Sequence, residues 1–257
     1  MTGTRQGKDV TESGRPAQPA AGTGPVLLLS EVTAGYGETV ALRKVSFAVQ
    51  PGQVTALLGP NGAGKTTVLR TASGIIRPRQ GRVELDGEVV TSQPPFRRAT
   101  RGLCLIPEGR GIFRSLSVRE NMRLHSLPGC RPPADAVDRA LTVFPALKPR
   151  LSETAGQLSG GQQQMLALAR AYITQPKVIL LDEVSMGLAP QVLDTVFQAL
   201  HTLAATGVAM LLVEQYVTRA MAMADFVVLL NKGTVAYEGP PSELDEQAVL
   251  RGYLGMD

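Results

Sequence analysis

Residues 54–74 read VTALLGPNGAGKTTVLRTASG. Val54–Leu58 is an apolar run of strand length, and a glycine-rich turn and a helical pattern follow it. Gly59-Pro60-Asn61-Gly62-Ala63-Gly64-Lys65-Thr66 fits G-x-x-x-x-G-K-[ST] at every fixed position. Strand, glycine turn and helix in that order form the setting in which this pattern cradles phosphate. Glycines let backbone N–H groups converge on the phosphates, and the helix N-terminus adds partial positive charge. Lys65 supplies a full charge, and Thr66 offers a hard hydroxyl oxygen to Mg²⁺. Gly59, Asn61, Gly62, Ala63, Gly64, Lys65, Thr66 and Thr67 are therefore the candidate nucleotide-binding residues.

Upstream of this loop, VLLLSEVTAGY and KVSFAVQPG alternate apolar with polar residues and predict antiparallel strands. Downstream, GRVELDGEVV places Asp86-Gly87 between two alternating runs, a strong hairpin signal. From Thr100 to about Leu158 the strand signal fades into a proline-punctuated, helical stretch that reads as an insertion. Strands return with KVILLDE, GVAMLLVE and DFVVLLNKGTVAYEG, and APQVLDTVFQALHTLAA reads as a helix between the first two. Two buried strands around such a helix make a βαβ crossover and a parallel sheet. The expectation is one mixed α/β domain over residues 26–257. Residues 26–99 and 156–257 form its core, 100–155 form a helical subdomain, and 1–25 form a flexible tail.

Val178–Leu181 ends in Asp182-Glu183. Beside a phosphate loop, the first acid can hold Mg²⁺ through water and the second can polarise the attacking water. Ser159-Gly160-Gly161-Gln162 opens another helix, with a hydroxyl and backbone N–H groups at its N-terminus. That is a second anion site. Two phosphate-binding features for one nucleotide suggest two chains facing each other, each capping the nucleotide held by the opposite loop.

With the phosphate loop, LSGGQ and the strand-end acids in this order, nearly all of residues 26–257 resembles the ATP-binding cassette family. The resemblance implies a P-loop NTPase with a RecA-like mixed sheet, an antiparallel β part and an inserted helical subdomain. It implies ATP and Mg²⁺ as cofactors, and Tyr36 stacked on adenine. It also implies permease subunits in the membrane and a second ATPase subunit, with an extracytoplasmic substrate-binding protein engaged indirectly. The chain would then sit peripherally on the cytoplasmic face of the cell membrane.

Two positions depart from the general family pattern. Glu108, in CLIPEGRGIF, stands where the family usually has a glutamine, and Gln215 stands where it usually has a histidine contacting the γ-phosphate. A carboxylate near a triphosphate needs an offsetting charge, and Arg110 is a candidate. Gln215 can donate a hydrogen bond but carries no charge. Lys65, Asp182 and Glu183 remain, so hydrolysis is expected, with Glu183, Lys65, Gln215 and Glu108 as the catalytic candidates.

The departures also mark a branch. Pro107-Glu108-Gly109-Arg110, Val213-Glu214-Gln215, Gly187-Leu188-Ala189-Pro190 and Tyr253-Leu254-Gly255 together resemble the second ATP-binding subunit of branched-chain amino-acid importers. Where that branch has Pro-Ser after the two acids, this chain has Val184-Ser185. Importers of urea and short amides carry very similar ATPases, and soluble cassettes acting in translation or DNA repair are a third class. The loop around Glu108 is expected to face a permease helix, with Arg97, Arg98 and Arg101 nearby for docking.

Composition narrows the field further. The chain is 257 residues long, 44% hydrophobic and 19% charged, as in an ordinary globular domain. No run approaches the roughly 18 apolar residues needed to span a bilayer, and the first 25 residues lack the apolar centre of a secretory signal. Cys104 and Cys130 share no CxxC spacing and the histidines are His125 and His201, so neither a zinc site nor a disulfide scaffold is expected. A net charge of +4 with no tryptophan and 4% aromatics gives no nucleic-acid stripe.

Overall fold

The computed structural model describes residues 24–124 and 134–244. The expectations for residues 1–23, His125, Cys130 and Tyr253-Leu254-Gly255 lie outside the described residues. Among the described residues, ten strands form two sheets. β1 (Leu27–Tyr36), β2 (Thr39–Val49), β4 (Gln80–Leu85) and β5 (Glu88–Val89) make an antiparallel sheet in the order β2-β1-β4-β5. β3 (Val54–Leu58), β6 (Leu103–Ile106), β7 (Val178–Asp182), β8 (Ala209–Val213), β9 (Phe226–Asn231) and β10 (Thr234–Gly239) make the second, ordered β10-β9-β3-β8-β7-β6. It is parallel except for β10, which turns back along β9. The helices are α1 (Lys65–Ala72), α2 (Pro95–Thr100), α3 (Val118–Arg123), α4 (Ala136–Val143), α5 (Gly160–Thr174), α6 (Pro190–Ala204) and α7 (Val217–Met223).

β3, β7 and β8 are buried at every residue because both faces of their sheet are covered. Their side chains alternate between two cores. Ala56, Leu58, Ile179, Leu181, Met210 and Leu212 pack with α5 and α6, whereas Leu57, Leu180 and Leu211 pack with α1 and the antiparallel sheet. Each such leucine contributes about 1.5–3 kcal/mol on burial. At the expected hairpin, Asp86 (φ 52°) and Gly87 (φ 77°) both take the left-handed region that a type I′ turn requires.

One boundary is corrected. β6 lies inside the stretch expected to be helical, yet it pairs with β7 from Leu103↔Val178 to Ile106↔Leu181 and belongs to the large sheet. Four residues between Gly102 and Pro107 are too few to show a period. The correction matters because β3, β6, β7 and β8 run parallel. Their carboxyl ends therefore deliver Gly59, Pro107, Asp182 and Glu214 to one edge of the sheet, where open α/β sheets bind ligands.

Candidate functional site

α1 begins at Lys65 with no side-chain cap, so its first N–H groups face the loop. The loop glycines are fixed by space as well as by φ. A Cβ on Gly59 (φ 145°) would lie 2.2 Å from the Leu230 carbonyl oxygen, and one on Gly64 (φ 107°) 2.7 Å from Leu42. Lys65 is buried and its Nζ donates to the carbonyl oxygens of Gly59 (2.6 Å) and Pro60 (3.2 Å). Burial pulls the Lys65 ammonium below its usual range, and the charges of Glu183 and Asp182 pull it back.

Thr66 Oγ1 donates to Asp182 Oδ1 at 3.2 Å, which joins the first turn of α1 to the end of β7. Burial pushes the Asp182 carboxyl upward; the Thr66 bond opposes the shift and the charges of Glu183 and Glu108 reinforce it. Glu108 and Asp182 also line one cavity of about 350 Å³, together with Arg70 and Pro107. A hydroxyl and a carboxylate in contact, with two further carboxylates close enough to raise its pKa, suit a hard divalent cation that is also held by substrate phosphates. Thr66 and Asp182 thus fit Mg²⁺.

Gln215 Nε2 donates to Glu183 Oε2 at 3.1 Å. Glu183 itself has φ 47°, and Val184 after it is buried in the helical core. A proline at 184 would disfavour the α region for the residue before it, so Val184 bears directly on the shape of this turn. The structure thus brings Lys65, Thr66, Asp182, Glu183, Gln215 and Glu108 together. Tyr36 lies beside them, 45% exposed, with its hydroxyl accepting from Arg70 Nη1 at 3.0 Å.

Ser159–Gln162 sit on a different element. Ser159 caps α5 through a capping box: its Oγ accepts from the Gln162 backbone N–H, and its own N–H donates to Gln162 Oε1 at 3.0 Å. Two donors expected to face an anion are therefore engaged within the loop. Gly161 has a packing reason as well, since a Cβ there would come within 2.1 Å of Val192 on α6.

Two arginine expectations are corrected. Arg110, proposed to offset Glu108, instead donates from Nη1 to Gln163 Oε1 at 2.7 Å and packs over Gly160. It ties the Glu108 loop to the start of α5. Arg98 cannot dock anything. It is fully buried, and its guanidinium donates to the carbonyls of Thr71 (2.8 Å) and Ala72 (2.7 Å) at the end of α1 and of Thr91 and Gln93. Burial lowers its pKa to about 10. Arg101 pairs with Glu88 and Gln93, and Arg97 lies by the exposed Phe96 ring.

The ABC transporter profile matches residues 42–186, which hold the phosphate loop, the α5 signature and the strand-end acids. The chain belongs to the ABC transporter family. It is thus an ATPase whose hydrolysis is coupled to transport, with ATP and Mg²⁺ as its nucleotide and metal. Two relatives are close along the chain. The high-affinity branched-chain amino acid transport ATP-binding protein BraG of Pseudomonas aeruginosa is 35% identical, across 90% of this chain and all of BraG. The probable branched-chain amino acid transport ATP-binding protein LivF of Archaeoglobus fulgidus is 36% identical, across 84% and 92%. Among solved structures, the ADP conformation of the ATP-binding cassette MJ1267 superimposes with a TM-score of 0.76 at 26% identity, covering 91% of this chain and all of that one. Among the described residues, no helix is long and apolar enough to cross a membrane. Like other ATPase subunits of this family, the cassette works with membrane permeases.

Sequence reasoning named Glu214 only as part of a branch label and missed how this cassette uses it. Its side chain is fully buried. Oε1 accepts from the Ser185 N–H at 3.1 Å and Oε2 from the Ser185 hydroxyl. Burial pushes its pKa from 4.5 to about 7 despite these bonds. The folded state therefore keeps a proton that the unfolded state loses between pH 4.5 and about 7. Stability contributed by this group is present below pH 4.5 and is lost as pH rises through about 7, a change of about 3 kcal/mol. Glu214→Gln is expected to remove that slope. Urea midpoints at pH 5.5 and 8 should fall further for the wild type than for the variant; parallel falls would contradict the assignment.

Proposed function

We propose that this cassette is the ATP-hydrolysing subunit of an importer for branched-chain or related amino acids. The likeness to two transport proteins of that class over nearly their whole lengths carries the proposal. ATP lies on Gly59–Thr67 with its adenine on Tyr36, and Lys65 binds the phosphates. Thr66 and Asp182 would hold Mg²⁺, which would supply neutralisation of phosphate charge when bound. Glu183 polarises the attacking water. Gln215 orients Glu183 through their 3.1 Å bond and reaches a phosphate oxygen, and Glu108 completes the acidic edge. Ser159–Gln162 cap the ATP of a second ATPase subunit. Residues 26–99 and 156–257 act as the nucleotide-binding core, and 100–155, apart from β6, as the helical subdomain.

A groove of about 460 Å³ between β6 and α5, lined by Arg101, Leu103, Leu105, Arg110, Leu124 and Arg170, supports docking of a permease segment. Leu124 is half exposed there, and Phe113 beside Arg170 is also exposed. On this reading the cassette sits on the cytoplasmic face of the membrane. A second ATPase and an extracytoplasmic binding protein complete the machine.

Because the Gln215 amide already donates to Glu183, Gln215→His is expected to change the ATPase rate by less than about threefold, under about 0.7 kcal/mol of barrier. A change above about tenfold in steady-state hydrolysis would show that the missing charge matters. The substrate class is tested by uptake in the native host carrying Glu183→Gln in place of the wild type. Loss of labelled leucine, isoleucine and valine uptake supports the proposal. Intact uptake of these with loss of urea or amide uptake moves the cassette to that class, and no change in either overturns an importer role.

A further inference from the structure

We propose that Glu214 is a positioning residue for hydrolysis, gripping the turn after β7 so that Glu183 and Gln215 face the phosphate loop. The inference rests on the reading of Glu183 as the group that polarises water.

β8 runs Ala209–Val213 as five buried apolar residues, and the next residue is a wholly buried carboxylate. A buried carboxyl group, protonated or charged, is costly unless specific partners satisfy it. Here the partners are both hydrogen-bond donors of a single residue, the N–H and hydroxyl of Ser185. The Gln215 N–H adds a third. Two bonds to one residue fix its rotation as well as its position.

That turn needs fixing. Glu183 holds φ 47°, a left-handed conformation that non-glycine residues keep only where their surroundings over-determine it. Its own N–H donates to the Val213 carbonyl at 2.9 Å, immediately before Glu214. Beyond Ser185 the chain opens out: Met186 is 41% exposed, and a Cβ on Gly187 would meet nothing within 4 Å. The rigid anchor is thus Ser185. Glu183 is held from two sides by consecutive residues: Glu214 sets its backbone through Ser185, and Gln215 sets its carboxylate directly at 3.1 Å.

The test compares Glu214→Leu, Glu214→Gln, Ser185→Ala and Glu183→Gln in the full chain. For each, melting temperature, affinity for a non-hydrolysable ATP analogue and kcat are measured. Glu214→Leu is expected to lower kcat at least about tenfold while analogue affinity stays within about threefold. Glu214→Gln keeps an acceptor for the Ser185 N–H and a donor for its oxygen, so its kcat should stay within about threefold. Ser185→Ala should lower kcat by less than Glu214→Leu, and the double variant should lose no more than Glu214→Leu alone.

Wild-type kcat in Glu214→Leu, an equal loss of analogue affinity, or additive losses in the double variant would each overturn the inference. If Glu214→Leu does not fold, an unchanged kcat in Ser185→Ala overturns it and a reduced kcat at unchanged affinity supports it. Wild-type turnover in Glu183→Gln would overturn the underlying catalytic reading instead. Lost turnover there, beside an unaffected Glu214→Leu, overturns the positioning role alone.

Discussion

Lys65→Ala is expected to weaken ATP binding by about 100-fold or more while the fold survives. Lys65 is 5% exposed, and its ammonium sits at the mouth of the loop on the carbonyls of Gly59 and Pro60. Burial already disfavours its charge, and Asp182 and Glu183 offset that cost in part. A triphosphate would offset it fully. Losing one or two charge-assisted hydrogen bonds to phosphate removes about 3–5 kcal/mol, which is about two to three and a half decades in Kd. The same truncation removes two tethers of the loop, so melting temperature is measured beside nucleotide titration. Unchanged affinity in a folded variant would contradict the phosphate-loop assignment.

Glu183→Gln should lower turnover by about 100-fold or more with ATP affinity retained. A positioned general base contributes about 10²–10⁴ in rate. The amide is nearly isosteric and can still accept the bond from Gln215 Nε2, so geometry is kept while basicity is lost. Single-turnover hydrolysis by the purified chain is the check. Turnover at the wild-type rate would show that another group, with Glu108 the nearest alternative, polarises the water.

Most of this site was legible in the sequence because its parts lie at strand ends that announce themselves. Val54–Leu58 and Val178–Leu181 are continuous apolar runs, and the candidate residues begin where each run stops. The antiparallel hairpin was legible at Asp86-Gly87 because the turn demands those residue types. β6 was not, because four residues carry no period and its neighbour β7 is some 75 residues away. The arginines misled for a related reason. Sequence proximity put Arg110 beside Glu108, but its guanidinium donates to Gln163 on α5, 53 residues along the chain. Arg98 was read as a surface charge although four backbone carbonyls hold it in the interior. Glu214 was hidden because its partner Ser185 is 29 residues away in the chain and is brought close only by the pairing of β7 with β8. Its one visible sign was a carboxylate ending an apolar strand, a position at which Asp182 had already been assigned a role.

The central claim, that this ATPase drives a membrane importer, is tested most directly by its company. The chain is affinity-purified from gently solubilised native membranes and the co-purifying proteins are identified by mass spectrometry. Two permease subunits with a second cassette ATPase are the predicted result. Ribosomal or DNA-repair proteins, with no permease, would contradict it.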